Sequence, residues 1–158
     1  MCLFFLQDNQ NIIMFANYNY QYFPYVIVTF QEKITHEDDF EQFLLSWLQL
    51  YQRKRDFYFI FDTSQMGFIN PKYCVMMSVF IKNLRQRSYQ YLQKSYIIIK
   101  NKLIERLLDL IFYLQPPVAP VYLTSQDLPK VIQFVHNNFQ MIEFTQVIYP
   151  KKPLLPFL

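Results

Sequence analysis

One run, Phe57-Tyr58-Phe59-Ile60-Phe61, constrains the fold more than any other part of this chain. It has no polar alternation, so it reads as a strand buried on both faces. A strand of that kind belongs inside an α/β sheet with helices covering it. The next residues, Asp62-Thr63-Ser64-Gln65-Met66-Gly67-Phe68-Ile69, leave the sheet. Asn70-Pro71 then opens a helix, with Asn as its cap and Pro at the first helical position. In open α/β sheets ligands and modifications gather where a strand ends and the next helix begins. Asp56–Tyr73 is therefore the first place to look for a function.

The other elements follow from pattern. Ile12–Ala16 reads as a first strand, and Asn17-Tyr18-Asn19-Tyr20-Gln21-Tyr22-Phe23-Pro24 as a hairpin loop. Tyr18, Tyr20, Tyr22 and Phe23 give that loop a candidate aromatic docking surface. Tyr25–Phe30 is a β-branched and aromatic second strand, antiparallel to the first. Thr35 caps a helix with acidic residues in its first turn and a stripe of Phe40, Phe43, Leu44, Trp47, Leu48 and Tyr51. A second helix runs from Pro71 to about Arg87, and Ser95–Ile99 forms another doubly buried strand. Asn101 caps a third helix that Pro116-Pro117 ends. Val118–Leu123 is a short strand, where Pro120 points to an edge position. Ser125 caps a fourth helix, Met141–Ile148 offers one more edge strand, and a Pro-rich tail follows.

The expected architecture is a mixed sheet of about five strands, a leading antiparallel hairpin and then parallel strands, covered by four helices. Crossovers of this length are right-handed. With 158 residues and no internal linker, one domain is expected. Residues 1–24 supply the first strand and aromatic loop, 25–136 the core, and 137–158 the edge strand and tail.

Composition sets limits on function. The hydrophobic fraction of 53% is inflated by 13 tyrosines and is otherwise ordinary, whereas 17 phenylalanines beside a single glycine are not. A net charge of +3 is too small to imply nucleic acid. Cys2 and Cys74 share no spacing motif and fit a reducing compartment, cytoplasm or organelle interior. Cys2–Leu6 is too short and lacks the preceding basic residue of a secretory signal, and no run reaches the length of a membrane span.

Chemistry is scarce in the pattern. One glycine cannot build a dinucleotide or Walker-type phosphate loop, and no cofactor is expected. His36 and His136, the two histidines, read as surface or capping residues, and no Cys/His cluster has metal spacing. Asp62 reads as a side chain bonding the backbone of its own turn. The chain is therefore not expected to be an enzyme. One charge pattern stands out: Lys82, Arg85, Arg87, Lys94, Lys100, Lys102 and Arg106, a candidate face for an anionic partner such as lipid headgroups.

The element order, with its opening antiparallel pair, resembles the STAS domain and the related SpoIIAA-like and CRAL-TRIO lipid-binding groups over roughly Tyr25–Val135. STAS domains carry Asp-x-Ser-x-apolar-x-Phe-Ile-Asp-Ser-Ser-Gly at the strand-to-helix junction. Asp62, Ser64, Met66, Phe68 and Ile69 match that pattern in place. Asn70 replaces its second Asp, Pro71 and Lys72 stand where its two serines would be, and Tyr73 stands for its glycine. The resemblance thus implies a degenerate phosphoswitch loop, made of Asp62, Ser64, Asn70, Pro71 and Lys72, without the hydroxyl that would carry phosphate. Leu92–Leu123 resembles the CRAL-TRIO arrangement, which implies a lipid held between sheet and helices.

The functional expectation is a non-catalytic STAS-like protein-interaction domain, a structural or docking subunit of a larger assembly. The alternative is CRAL-TRIO-like binding of a lipid or other apolar ligand at a membrane surface. Other protein subunits are the expected partners, with an anionic membrane surface second and nucleic acid not expected.

Overall fold

The structure is a computed structural model that describes residues 14–137 and 141–151. It is an α/β fold with, among the described residues, six strands, the expected five or so plus the edge strand offered within Met141–Ile148: β1 (Ala16–Asn19), β2 (Tyr25–Phe30), β3 (Phe57–Asp62), β4 (Leu92–Ile98), β5 (Val121–Thr124) and β6 (Gln146–Ile148). The helices are α1 (Glu37–Gln52), α2 (Lys72–Arg85), α3 (Lys102–Leu114) and α4 (Leu128–Asn137). The sheet keeps chain order from β1 to β6. β2 to β5 are parallel, while β1 and β6 close the two edges antiparallel.

Chain-order pairing decides the layers. Right-handed crossovers between successive parallel neighbours put α1, α2 and α3 on one face. The chain then passes to the other face, where α4 lies over the sheet and β6 returns to pair with β5. Two apolar cores result. Val28, Phe59 and Phe61 face the three-helix layer with Trp47 and Met77, whereas Ile27, Ile60, Tyr96 and Ile98 meet Val131 of α4.

The aromatic residues sort by face. Phe30, Phe57, Phe59 and Phe61 point into the three-helix layer, against Phe43, Trp47 and Phe80. Tyr25, Tyr58, Tyr96 and Tyr122 line the other face, which α4 covers together with Ile142 and Phe144 of the segment before β6. A phenol needs a hydrogen-bond partner or water at its tip, so tyrosine suits the thinly covered side and phenylalanine the closed one. The unusual aromatic content is in large part a sheet built from rings.

Several boundaries differ from the sequence reading. The first strand is Ala16–Asn19, not Ile12–Ala16; Ile12 and Ile13 lie outside the described residues. Ala16 and Tyr18 turn inward while Asn17 and Asn19 face solvent, a period-two pattern that the Tyr/Asn composition conceals. The α1 cap is His36, not Thr35, and the carboxylate of Asp39 accepts its backbone N–H at 3.2 Å. α4 starts after Asp127, whose carbonyl accepts from Lys130 and Val131, so Ser125 is not its cap. Pro120 is not on an edge strand: it precedes β5, which lies between β4 and β6, and its carbonyl accepts from Ser95. A proline tolerates that position because a strand's first residue need not donate.

Candidate functional sites

The β3–α2 junction is held by short-range bonds. Asp62 Oδ1 accepts the Ser64 N–H at 3.0 Å, and Asn70 Oδ1 accepts the Lys72 N–H at 3.0 Å. Both side chains serve their own turns, as Asx motifs do. Between them Gly67 donates to the carbonyl of Glu32 at 2.7 Å, and a Cβ on Gly67 would stand 3.2 Å from Glu32 Cγ. The only glycine therefore marks the close approach of this loop to the chain leaving β2. Ser64, Pro71 and Lys72 are exposed, and the Lys72 ammonium lies 5.0 Å from the Tyr73 ring centroid. Sequence reading missed Thr63, which is buried and donates its hydroxyl to the Ile98 carbonyl at 2.6 Å, tying the junction to β4.

Sheet order weakens the case for a ligand at this junction. In open α/β sheets the binding crevice forms where strand order reverses, so that neighbouring crossovers lie on opposite faces. Here the parallel strands follow one another without reversal.

The seven basic residues do not form one face. α2 runs against the strands and delivers Lys82, Arg85 and Arg87 to the end of the sheet where the parallel strands begin, the lower end. Lys94 also lies there but on the α4 face, its ammonium 4.7 Å from the Tyr122 ring centroid. Lys100, Lys102 and Arg106 belong to the opposite, upper end. Two of the cations are also engaged. Lys100 bridges to Asp127 Oδ1 at 2.8 Å and donates to the Ser125 carbonyl, and its hydrogen bond, then its charge, hold the Asp127 carboxyl below its usual range. Arg85 donates to the carbonyls of Pro116 and Lys151. Burial lowers its pKa from the ordinary value.

The aromatic loop is turned onto its own protein. Tyr18 lies in β1, not in the loop, and its hydroxyl donates to the Phe43 carbonyl at 2.7 Å. The Arg53 guanidinium stands 4.8 Å from the Tyr20 ring centroid and 5.4 Å from that of Phe23, while Arg55 stands 5.1 Å from Phe23. Tyr22 packs against His136 of α4, with ring centroids 5.4 Å apart. These residues fasten the lower end of the sheet to α1 and α4.

Two features have no signal of their own in the sequence. The first is an apolar cavity of about 140 Å³ between the sheet and the helices, lined by Phe61, Met77, Ile97, Ile104, Leu107 and Ile111 among others. α3 contributes Ile104, Leu107, Leu108, Ile111 and Phe112 to its wall, and of these Ile104 alone is fully buried although the helix is rich in leucine. The second is the outer surface of α2 and α3. Val75 and Val79, one turn apart on α2, are about half exposed at 53% and 52%, and Leu103, Leu110 and Tyr113 are exposed on α3. Phe68, in the loop before α2, is exposed as well. The helices pack side by side, with Cys74 Sγ 3.9 Å from the Leu107 carbonyl oxygen.

Among the described residues no cluster of histidine, cysteine, aspartate and glutamate is placed to hold a metal ion, and no helix is long and apolar enough to cross a membrane. Comparison with protein-family models, curated proteins and solved structures finds no match.

Proposed function

We propose that this chain is a non-catalytic protein-interaction domain of STAS-like type, a docking subunit of a larger assembly. The outer surface of α2 and α3 carries the reading. Large side chains exposed along two neighbouring helices, with Phe68 exposed in the loop that leads into α2, are what a protein partner covers and what water does not favour. The β3–α2 junction supports the same reading from the other side, because its polar side chains are occupied with their own backbone. The test is recovery of the tagged chain from its native source under mild conditions, beside a Val75→Asp/Val79→Asp variant. Both positions are exposed, so the variant keeps the fold. Co-purifying subunits should be lost from the variant, and the same set recovered with both chains would overturn the reading.

A second reading rests on the cavity. A space of about 140 Å³ lined by apolar side chains is comparable to engineered cavities of roughly 150 Å³ that stay dry and bind benzene. It suits a small apolar ligand or one segment of an acyl chain rather than a whole lipid. Native mass spectrometry after gentle extraction would reveal a retained ligand. Benzene should also raise the melting temperature, and an Ile104→Phe substitution that fills the space should remove that increase. No retained ligand together with no benzene effect would end this reading.

A further inference from the structure

The apolar cavity between the sheet and the three-helix layer has a serine, Ser95, in its wall. We infer that the cavity binds a small, mostly apolar molecule bearing a single hydroxyl, of the size of a phenol, whose oxygen pairs with the Ser95 side chain. The inference rests on the reading of this cavity as a ligand site and names the class of ligand.

A shift in strand pairing turns Ser95 inward. β3 and β4 pair residue for residue from Tyr58 with Lys94 to Asp62 with Ile98, but Phe57 pairs with Leu92, so Gln93 is an extra residue in the ladder. An extra residue reverses the alternation of side chains beyond it. Leu92, Ser95 and Ile97 accordingly share the side of the cavity, while Tyr96 and Ile98 meet α4. Without the shift, Lys94 and Tyr96 would follow Leu92 inward and Ser95 would face the other way.

Once inside, the hydroxyl is left over. Ser95 is 3% exposed. Thr63, Ser78 and Thr124, buried as well, donate their hydroxyls to the carbonyls of Ile98, Val75 and Glu143. Ser95 gives its backbone N–H to the Pro120 carbonyl, but its hydroxyl has no hydrogen-bond partner among the described residues. A buried polar group without a partner is costly, and native folds rarely leave one so. Here the space for a partner is the cavity itself.

The surroundings define that partner. Across the sheet Ser95 stands between Phe59 and Val121, and the wall is largely apolar, with Phe61, Met77, Ile97 and Ile111 in it. Thr63 and Cys74 also line it, but their polar atoms are directed at the carbonyls of Ile98 and Leu107. A serine hydroxyl both donates and accepts, so it meets an alcohol or phenol in either role. The volume of about 140 Å³ suits a ring with one small substituent, since a cavity of roughly 150 Å³ holds benzene.

Calorimetric titration of the full-length chain with phenol and with toluene, which match in size and differ in the hydroxyl, tests the pairing. The unaltered protein should bind both. Ser95→Ala should bind phenol about ten-fold more weakly and toluene as before, the loss expected for one hydrogen bond in an apolar site. Ser95→Cys keeps a side chain of similar size with a weaker donor. It should weaken phenol in the same direction, and it decides the matter if the alanine variant does not fold. Unchanged phenol affinity in the variants overturns the inference, as does an equal loss of both ligands. Toluene bound by the unaltered protein without phenol also overturns it and leaves the cavity reading standing. Binding of neither ligand removes both.

Discussion

The Tyr18 hydroxyl donates to the Phe43 carbonyl at 2.7 Å, joining the edge strand β1 to the middle of α1. This one bond changes the meaning of the aromatic segment, because a tyrosine held in this way is structure and not docking surface. Tyr18→Phe should lower the free energy of unfolding by about 0.5–1.5 kcal/mol, the usual net worth of a hydrogen bond. Tyr18→Ser also removes the ring, which packs near Phe43 and Phe59, and should cost about 3–5 kcal/mol. Tyr20→Ser should cost less than about 1 kcal/mol, since that ring is partly exposed. Urea unfolding of the three variants checks the order; equal costs at positions 18 and 20 would contradict it.

Alkaline pH should destabilise this protein through its buried tyrosines. Burial raises Tyr51 and Tyr96 to about 12, in Tyr96 with help from neighbouring tyrosines, and raises Tyr18 well above its ordinary value of 10.0. Each group holds its proton more tightly folded than unfolded. Their contribution to stability is complete below pH 10 and is lost as pH rises from there through the folded values. Melting temperature should be flat with respect to these groups from pH 8 to 10 and fall beyond it. The tyrosinate absorbance of these three side chains, isolated by difference against their Tyr→Phe variants, should appear late, together with loss of structure. Ionisation of any of the three near pH 10 in the still-folded protein would contradict the assignment.

Lys54 follows α1 with φ of 54°, in the left-handed region, and its N–H donates to the Tyr51 carbonyl at 3.2 Å. Glycine usually fills this place after a helix because a Cβ is strained there. Lys54→Gly should therefore stabilise the fold by about 0.5–1 kcal/mol, the relief of strain exceeding the added entropy of the unfolded chain. Lys54→Val should destabilise it. Paired denaturation curves decide the sign.

Arg85 is the hub of the lower end, so its removal should be felt by three segments together. Arg85→Met keeps most of the apolar stem and deletes the donors to Pro116 and Lys151. The expected loss is about 1–3 kcal/mol, as for hydrogen bonds from a charged group. Amide hydrogen exchange should quicken at the ends of α2 and α3 and in β6, with the β2–β3 pairing unchanged. A loss confined to one of these segments would argue against a shared anchor.

Much of this fold is legible because its strongest signals are local. The doubly buried run at Phe57–Phe61 and the stripe from Phe40 to Tyr51 each declare their element without help from elsewhere. What stays hidden depends on direction. Lys82 and Lys100 are close in sequence, yet α2 descends and β4 ascends, so residues along that path separate to opposite ends of the sheet. Tyr18 reads as loop because Asn17 and Asn19 beside it are turn formers, and only its pairing with Val28 shows the strand. The cavity is invisible for a related reason: a leucine-rich helix looks fully buried in sequence, and how deeply α3 seats depends on three other elements.

The unbroken order of the sheet, β1 to β6, also bears on how the molecule is made. Each strand pairs with its predecessor, so a chain emerging from its N-terminus finds a template already in place for every new strand. No strand waits for a distant partner, and loop closure involves one helix at a time. Only the last step differs: β6 comes back from beyond α4 to cap an edge that the growing sheet has exposed since β5 was laid down.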